Sequence, residues 1–268
     1  LQPPERNARS QLRTATLPRK RPQPGDGGHR AVEHDLSETC SACPAEIGDL
    51  HFVPVTTPEQ SRLWNRLIQQ HHYIRTFKLF GHRMRYLVYG CLSSSRPRFG
   101  DADGERRCIP TADRGSQLVP PSQNARLVAL LGYAASAWRV SSRDAFIGWT
   151  DEQRMANLRY VVGNARLLIL HWIRCRNLAS RILSGAAKQL PGDWEASYHY
   201  QPVLLETFVQ LDRFSGACYK AANWIQLGTT SGYSLYDQAA RKSVPTKALF
   251  VYPLSRCFRD VLCRAVEP

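Results

Sequence analysis

Two adjacent imidazoles, His71 and His72, followed by Tyr73, close a segment whose apolar residues Leu63, Trp64, Leu67 and Ile68 recur at helical spacing. Histidine changes charge closer to neutral pH than any other side chain, so this pair can supply a base, a phosphate contact or a metal ligand. Neighbours on a regular helix point about 100° apart, and both rings reach one cation only where the helix breaks. A carboxylate, Glu206, stands inside the apolar run Val203-Leu204-Leu205-Glu206-Thr207-Phe208. Such burial is costly unless the acid is used or paired, which leaves two readings, a functional group or a buried ion pair to an arginine. Asp144 adds a second carboxylate, Asn223 an amide, and Tyr219 a phenol that either donates a proton or packs on Trp224. Imidazoles and carboxylates together can hold a divalent metal ion for phosphoryl transfer. The expectation is that His71, His72, Asp144, Glu206, Tyr219 and Asn223 form one catalytic cleft, all but Glu206 lying near a strand end or a helix start. The spacing does not identify a metal.

A second set of residues points to polyanions. Arg19, Lys20 and Arg21 sit in a Pro-rich run, and Arg174 and Arg176 precede Asn177. Lys and Arg number 36 against 22 Asp and Glu, a net charge of +14 with a pI near 9.7. Phosphate contacts release counterions, so DNA is the expected partner, although an acidic membrane surface draws the same charge. No stretch approaches the roughly 20 apolar residues that span a bilayer, and no membrane partner is expected. The opening Leu1-Gln2-Pro3-Pro4-Glu5-Arg6 lacks a secretory pattern, so a cytoplasmic protein with reduced cysteines is expected. Cys40-Ser41-Ala42-Cys43 has the spacing of half a zinc site, with His29 and His34 as further ligands.

Positioning these groups requires a mixed α/β domain. Residues 1–47, basic and rich in Pro and Gly, read as a disordered tail, and 92–124 read as a long loop without periodicity. From residue 48 onward, strands are expected at 50–55, 83–89, 126–133, 165–173, 202–209, 224–227 and 247–252. Helices are expected from Pro58, capped by Thr57, from Thr150 with a capping box, at 177–190 ended by Pro191, and at 216–223. Arg143 and Asp144 fall near a turn.

The order across residues 165–252, a strand, an Arg-rich helix start, a strand, a short helix with Tyr219 and further strands, resembles the acetyl-CoA-binding half of the GNAT acyltransferase fold. That resemblance implies a single GNAT-like domain with a central mixed sheet flanked by helices, Tyr219 as general acid, and acyl transfer from acetyl-CoA as an alternative activity. The fold's phosphate loop has glycines where Arg174-Cys175-Arg176-Asn177-Leu178-Ala179-Ser180 has Asn177 and Leu178. Read without the resemblance, Asn177 caps a helix and the arginines are surface charges.

A chain of motifs in order resembles the DruA family, a component of the Druantia anti-phage system with relatives in mobile elements. These are Leu63-Trp64-Asn65-Arg66-Leu67-Ile68 with His71-His72-Tyr73; Arg85-Tyr86-Leu87-Val88; Arg143-Asp144 with Ile147-Gly148-Trp149; Arg154 with Asn157-Leu158; Asn164 with Arg166; Asn177-Leu178-Ala179-Ser180; Pro202 through Val209; and Cys218-Tyr219 with Ala222-Asn223-Trp224. The resemblance spans about residues 48–254. It implies association with DNA beside other defence or transposition proteins. The family usually has Leu-Gly where Ile74-Arg75 stand, and Arg where Tyr233 stands. These departures keep a catalytically inactive DNA-binding or scaffold copy as an alternative.

Overall fold

Thr57 and Gln60 cap the first helix reciprocally: the Thr57 hydroxyl accepts from the Gln60 amide, and the Gln60 side chain accepts from the Thr57 amide. With Pro58 preset for the first turn, helix α1 (Pro58–His71) forms where the sequence places it, and Leu63, Trp64, Leu67 and Ile68 are buried. The computed structural model describes residues 47–76, 78–92, 125–230 and 245–265, all within one compact unit. The basic tail with Arg19, Lys20 and Arg21, the zinc half-site at Cys40 and Cys43, and nearly all of the 92–124 loop lie outside the described residues.

Seven strands, β1 (Ile47–Pro54), β2 (Met84–Leu92), β3 (Ala125–Ala135), β4 (Val161–Ile169), β5 (Leu204–Gln210), β6 (Ile225–Thr229) and β7 (Lys247–Pro253), form one sheet in the order β1-β2-β3-β4-β5-β7-β6. Every neighbouring pair is antiparallel except β4 and β5, whose parallel pairing is limited to Val161↔Leu204, Val162↔Leu205 and Gly163↔Glu206. The expected mixed α/β domain with a central sheet flanked by helices is therefore observed.

The long helix α4 (Leu178–Tyr198) lays Leu178, Ile182, Leu183, Ala186, Leu190 and Trp194 on the sheet face that presents Tyr86, Leu131, Tyr133, Val162 and Leu205. Gly132 points away from that face, toward Trp64 of α1, whose ring lies 3.0 Å from where a Cβ would stand. The Trp64 indole donates to Leu131 O, so α1 covers the opposite face. Helices α2 (Ser141–Ile147), α3 (Asp151–Asn157) and α6 (Phe258–Leu262) close a smaller core around Trp149, Val161, Leu204 and Val251. The short α5 (Ala217–Ala221) follows β5.

Four expectations are corrected. Arg143 and Asp144 lie inside α2, where the Asp144 carboxylate accepts from the Val140 amide and Gly148 ends the helix in the left-handed region. Strand β4 starts at Val161, not Ala165, because Val161, Val162 and Asn164 are buried and the polar Asn164 and Arg166 belong to the strand. Pro191 does not end α4; the helix runs seven residues further, to Tyr198. Proline there removes a backbone donor at a cost of about 3 kcal/mol, which the complete burial of Trp194 offsets. Helix α6, unmarked in the sequence reading, buries Phe258 and Leu262. Among the described residues no helix is long and apolar enough to cross a membrane.

Candidate functional site

Where the β4–β5 ladder stops, the strands part and a cleft of about 400 Å³ opens between them. Its walls include Asn164 of β4, Thr207 of β5, Tyr219 of α5, and His71, His72 and Tyr73 at the end of α1. Past the last paired residue, side chains replace the ladder. The Thr207 hydroxyl donates to Asn164 O at 3.0 Å, and the Tyr219 hydroxyl donates to Asn164 Oδ1 at 2.8 Å. Gly216 opens α5 at φ +71°, and a Cβ there would stand 2.7 Å from the Phe250 ring, so glycine is required on this wall.

The two histidines differ. His72 is the residue just past α1 and is buried; its Nδ1 lies 3.0 Å from the Ile74 amide and 3.1 Å from the Ile74 carbonyl, accepting from the one or donating to the other according to its tautomer. Burial holds its pKa down to about 4, with the Arg166 charge acting in the same direction, so the ring is neutral near pH 7. His71 stays in the helix and packs its ring against His171 and Trp172. Burial pushes the Tyr219 phenol well above its ordinary value, so it is a neutral donor. Burial also pushes the Cys218 thiol up, which keeps this cleft cysteine protonated and weakly nucleophilic.

The six residues expected to converge fall into three places. His71, His72 and Tyr219 line the cleft. Glu206 does not: strand alternation turns it away from Thr207, and its carboxylate takes the Arg143 guanidinium at 3.0 Å and the Ala137 amide at 2.9 Å. Burial pushes the Glu206 carboxyl up, opposed by Arg143 and the Ala137 amide. Asp144 belongs to the same network, accepting from Arg143 Nη2 and from the Trp149 indole. Asn223 is exposed and outside the cleft; at φ +62° it makes the turn after α5. The shared six-residue centre is thus corrected, since the acids are spent on Arg143 on the other face of β5. Among the described residues no group of three or more His, Cys, Asp or Glu is placed to hold a metal ion.

Sequence reasoning missed Asn164, Thr207 and Tyr73 as wall residues. Asn164 carried a usable signal, because an amide inside an apolar strand demands a partner for the same reason as Glu206. Arg174, Arg176 and Asn177 are exposed where α4 begins. Asn177 occupies the N-cap position at φ +58° but its side chain makes no capping hydrogen bond.

The order of elements from β4 through α4, β5, α5 and β6 to β7 is the GNAT-like order expected from the sequence, so fold and cleft define a mixed α/β domain of that type. Over residues 113–241 the sequence matches the family model described as Druantia protein DruA, and the DruA resemblance is borne out across that span. No curated protein matches. Solved structures similar to this chain include FeeM, an N-acyl amino acid synthase from uncultured soil microbes, at 8% identity and a TM-score of 0.39, covering 80% of this chain and 94% of that one. Another is spermidine N-acetyltransferase from Vibrio cholerae in complex with CoA and spermine, at 8% identity and a TM-score of 0.36, covering 86% and 92%. Likenesses of this size say nothing about the ligand or reaction of the present chain.

Proposed function

We propose that this protein is a DNA-associated member of an anti-phage defence or mobile-element system, acting in the cytoplasm beside other defence or transposition proteins. One observation carries the reading: a surplus of arginines free of carboxylates. The chain has a net charge of +14, and exposed Arg83, Arg159, Arg174 and Arg176 make no ion pair among the described residues. Cations held in water without an internal acid are available to phosphates. Arg19, Lys20 and Arg21 would add to the same contact. The DruA match supports this setting. A gel-shift titration with the full chain at two salt concentrations tests it: affinity must fall steeply as salt rises, and absence of binding at low salt overturns the proposal.

The geometry favours binding over cutting of DNA. Glu206 and Asp144, the acids a metal-assisted phosphodiester reaction would draw on, neutralise Arg143 instead. Chemistry at this protein is better placed in the β4–β5 cleft, where the walls offer the neutral His72 ring and a neutral phenol.

A second reading, acyl transfer from acetyl-CoA, is favoured by the cleft between two parting parallel strands. The residues at the α4 start fit a diphosphate in part: Asn177 adopts the left-handed backbone that a glycine would supply, and it leaves the first-turn amides uncapped. Arg174 and Arg176 would hold the diphosphate there, and CoA would supply a thioester as acyl donor. Thermal unfolding with and without acetyl-CoA tests this: saturating ligand raises stability by about 2.7 kcal/mol at a hundredfold excess over Kd, and an unchanged Tm removes the reading.

A further inference from the structure

The end of the sheet opposite the cleft carries a row of aromatic side chains that neither reading uses, beside Arg83 and Arg159. Strands β2, β4 and β5 begin at this end and β3 finishes there, as the pairs Met84↔Tyr133, Ala135↔Val162 and Val161↔Leu204 require. His82 stacks on Tyr198 with centroids 4.1 Å apart and planes 5° from parallel. Its Nδ1 is 2.9 Å from the Tyr200 hydroxyl. Tyr200 meets Tyr160 edge-on at 5.6 Å, and the Arg159 guanidinium lies over both rings, 4.9 Å from Tyr160 and 5.7 Å from Tyr200. The row thus runs Tyr198, His82, Tyr200, Tyr160, Arg159 without a gap.

The row is held rigidly. Tyr198 Oη accepts from the Arg83 amide at 3.0 Å and donates to Arg83 O at 2.7 Å, pinning the turn that carries His82. Gly81 makes that turn at φ +66°, and a Cβ there would come within 2.7 Å of the Ala135 Cβ. Beside it, the segment 136–138 is fixed from beneath by the Arg143 network, which binds Ala137 O, Trp138 O and the Ala137 amide. The product of all that anchoring is an indole, Trp138, left 60% exposed, with Phe80 at 78% on the adjoining turn.

Charge is one-sided here. Among the described residues Arg83 and Arg159 lack a carboxylate partner, whereas on the flanking helices Asp151 is engaged by Arg139 and Arg154, Asp193 by Tyr86 and Gln189, and Glu195 by the Gln201 amide; exposed Glu152 is the acid there that makes no ion pair. Aromatic faces spaced along a cationic strip suit unpaired bases, which stack on any π-face while arginines meet the phosphates. Duplex DNA offers no free base faces, and a protein partner would call for a contiguous apolar patch instead of single rings interleaved with arginine. We infer that this end of the sheet is a binding platform for single-stranded nucleic acid, with Trp138, His82 and the tyrosine row stacking bases and Arg83 and Arg159 contacting phosphates. The inference rests on the DNA-association reading.

Fluorescence anisotropy with a labelled oligothymidine and the full chain tests it, with Trp138→Ala and Arg159→Ala as exposed variants and circular dichroism as the check on folding. Each variant is expected to weaken single-strand binding on the order of tenfold, with a smaller effect on a duplex of matching length. Single-strand binding by the wild type that both folded variants retain overturns the platform and leaves DNA association standing. Equal losses on single strand and duplex also overturn it, because stacking on bases would then play no part. Failure of the wild type to bind either nucleic acid overturns both readings.

Discussion

Arg143 Nη1 meets Glu206 Oε2 at 3.0 Å with both side chains withdrawn from solvent, at 0% and 1% exposure. Arg143 also donates to Ala137 O and Asp144 and lies 5.5 Å from the Trp149 ring. A buried arginine cannot shed its proton, so removing Glu206 leaves the Arg143 Nη1 side of the guanidinium without its carboxylate and Asp144 as the remaining acid. Glu206→Gln is therefore expected to destabilise the fold by about 3 kcal/mol, measured as a drop in the urea midpoint. An unchanged midpoint would mean that the pair contributes nothing to stability and that Glu206 must be explained by another role.

His72 makes the protein acid-sensitive in a defined window. Native His72 stays neutral down to about pH 4, while the unfolded imidazole takes a proton near its ordinary 6.5, so the unfolded chain binds the proton first. Stability is full above pH 6.5 and falls as pH drops from there to about 4, by at most about 3 kcal/mol. His72→Gln keeps an acceptor for the Ile74 amide but cannot titrate, and its urea midpoint should be flatter over that window. Parallel pH profiles for the two proteins would contradict the assignment.

Tyr219→Phe tests the bridge across the cleft. It deletes the donor to Asn164 Oδ1 and leaves a buried acceptor unsatisfied, which costs about 1–3 kcal/mol. The expected readout is a Tm lower by several degrees with unchanged far-ultraviolet circular dichroism. A Tm equal to the wild type would show that the hydrogen bond is replaced by water.

Pro191→Ala should stabilise. The position is helical, so alanine restores a backbone donor within α4 and improves helix propensity. The gain is expected to be about 1–3 kcal/mol, reduced by the extra freedom alanine gives the unfolded chain. Urea unfolding decides the sign, and a loss of stability would mean that the helix is bent at Pro191 in a way the packing requires.

Much of the scaffold was legible because local rules and tertiary burial agree there. The Thr57/Gln60 and Thr150/Gln153 capping boxes mark the starts of α1 and α3, and apolar spacing marks the buried faces of α1 and α4. Disagreement arose where tertiary contacts outweigh local preference, as when the core contact of Trp194 carries α4 through a proline. The site was legible in residue types and only partly in grouping. Glu206 and Thr207 are neighbours in sequence, yet the pleat sends one to Arg143 and the other to Asn164, and a one-residue difference decides which face a group serves. The buried-pair reading of Glu206 came from the same cost argument as the functional one; the Arg143 partner lies 63 positions away and has no local signature.

The brief parallel contact of β4 with β5 divides the sheet into two antiparallel leaves, β1–β4 and β5–β7–β6, joined along a seam of three residue pairs. Each leaf keeps its own complete ladders, so a change of angle at the seam widens or narrows the space between them without breaking a hydrogen bond inside either leaf. On the cleft side Thr207 and Tyr219 reach across to Asn164 with side-chain hydrogen bonds, while on the other face of β5 Glu206 is tied to the Ala137 amide and to Arg143. Thr207, Tyr219 and Asn164 thus fasten the seam at its cleft end, where the backbone ladder has stopped.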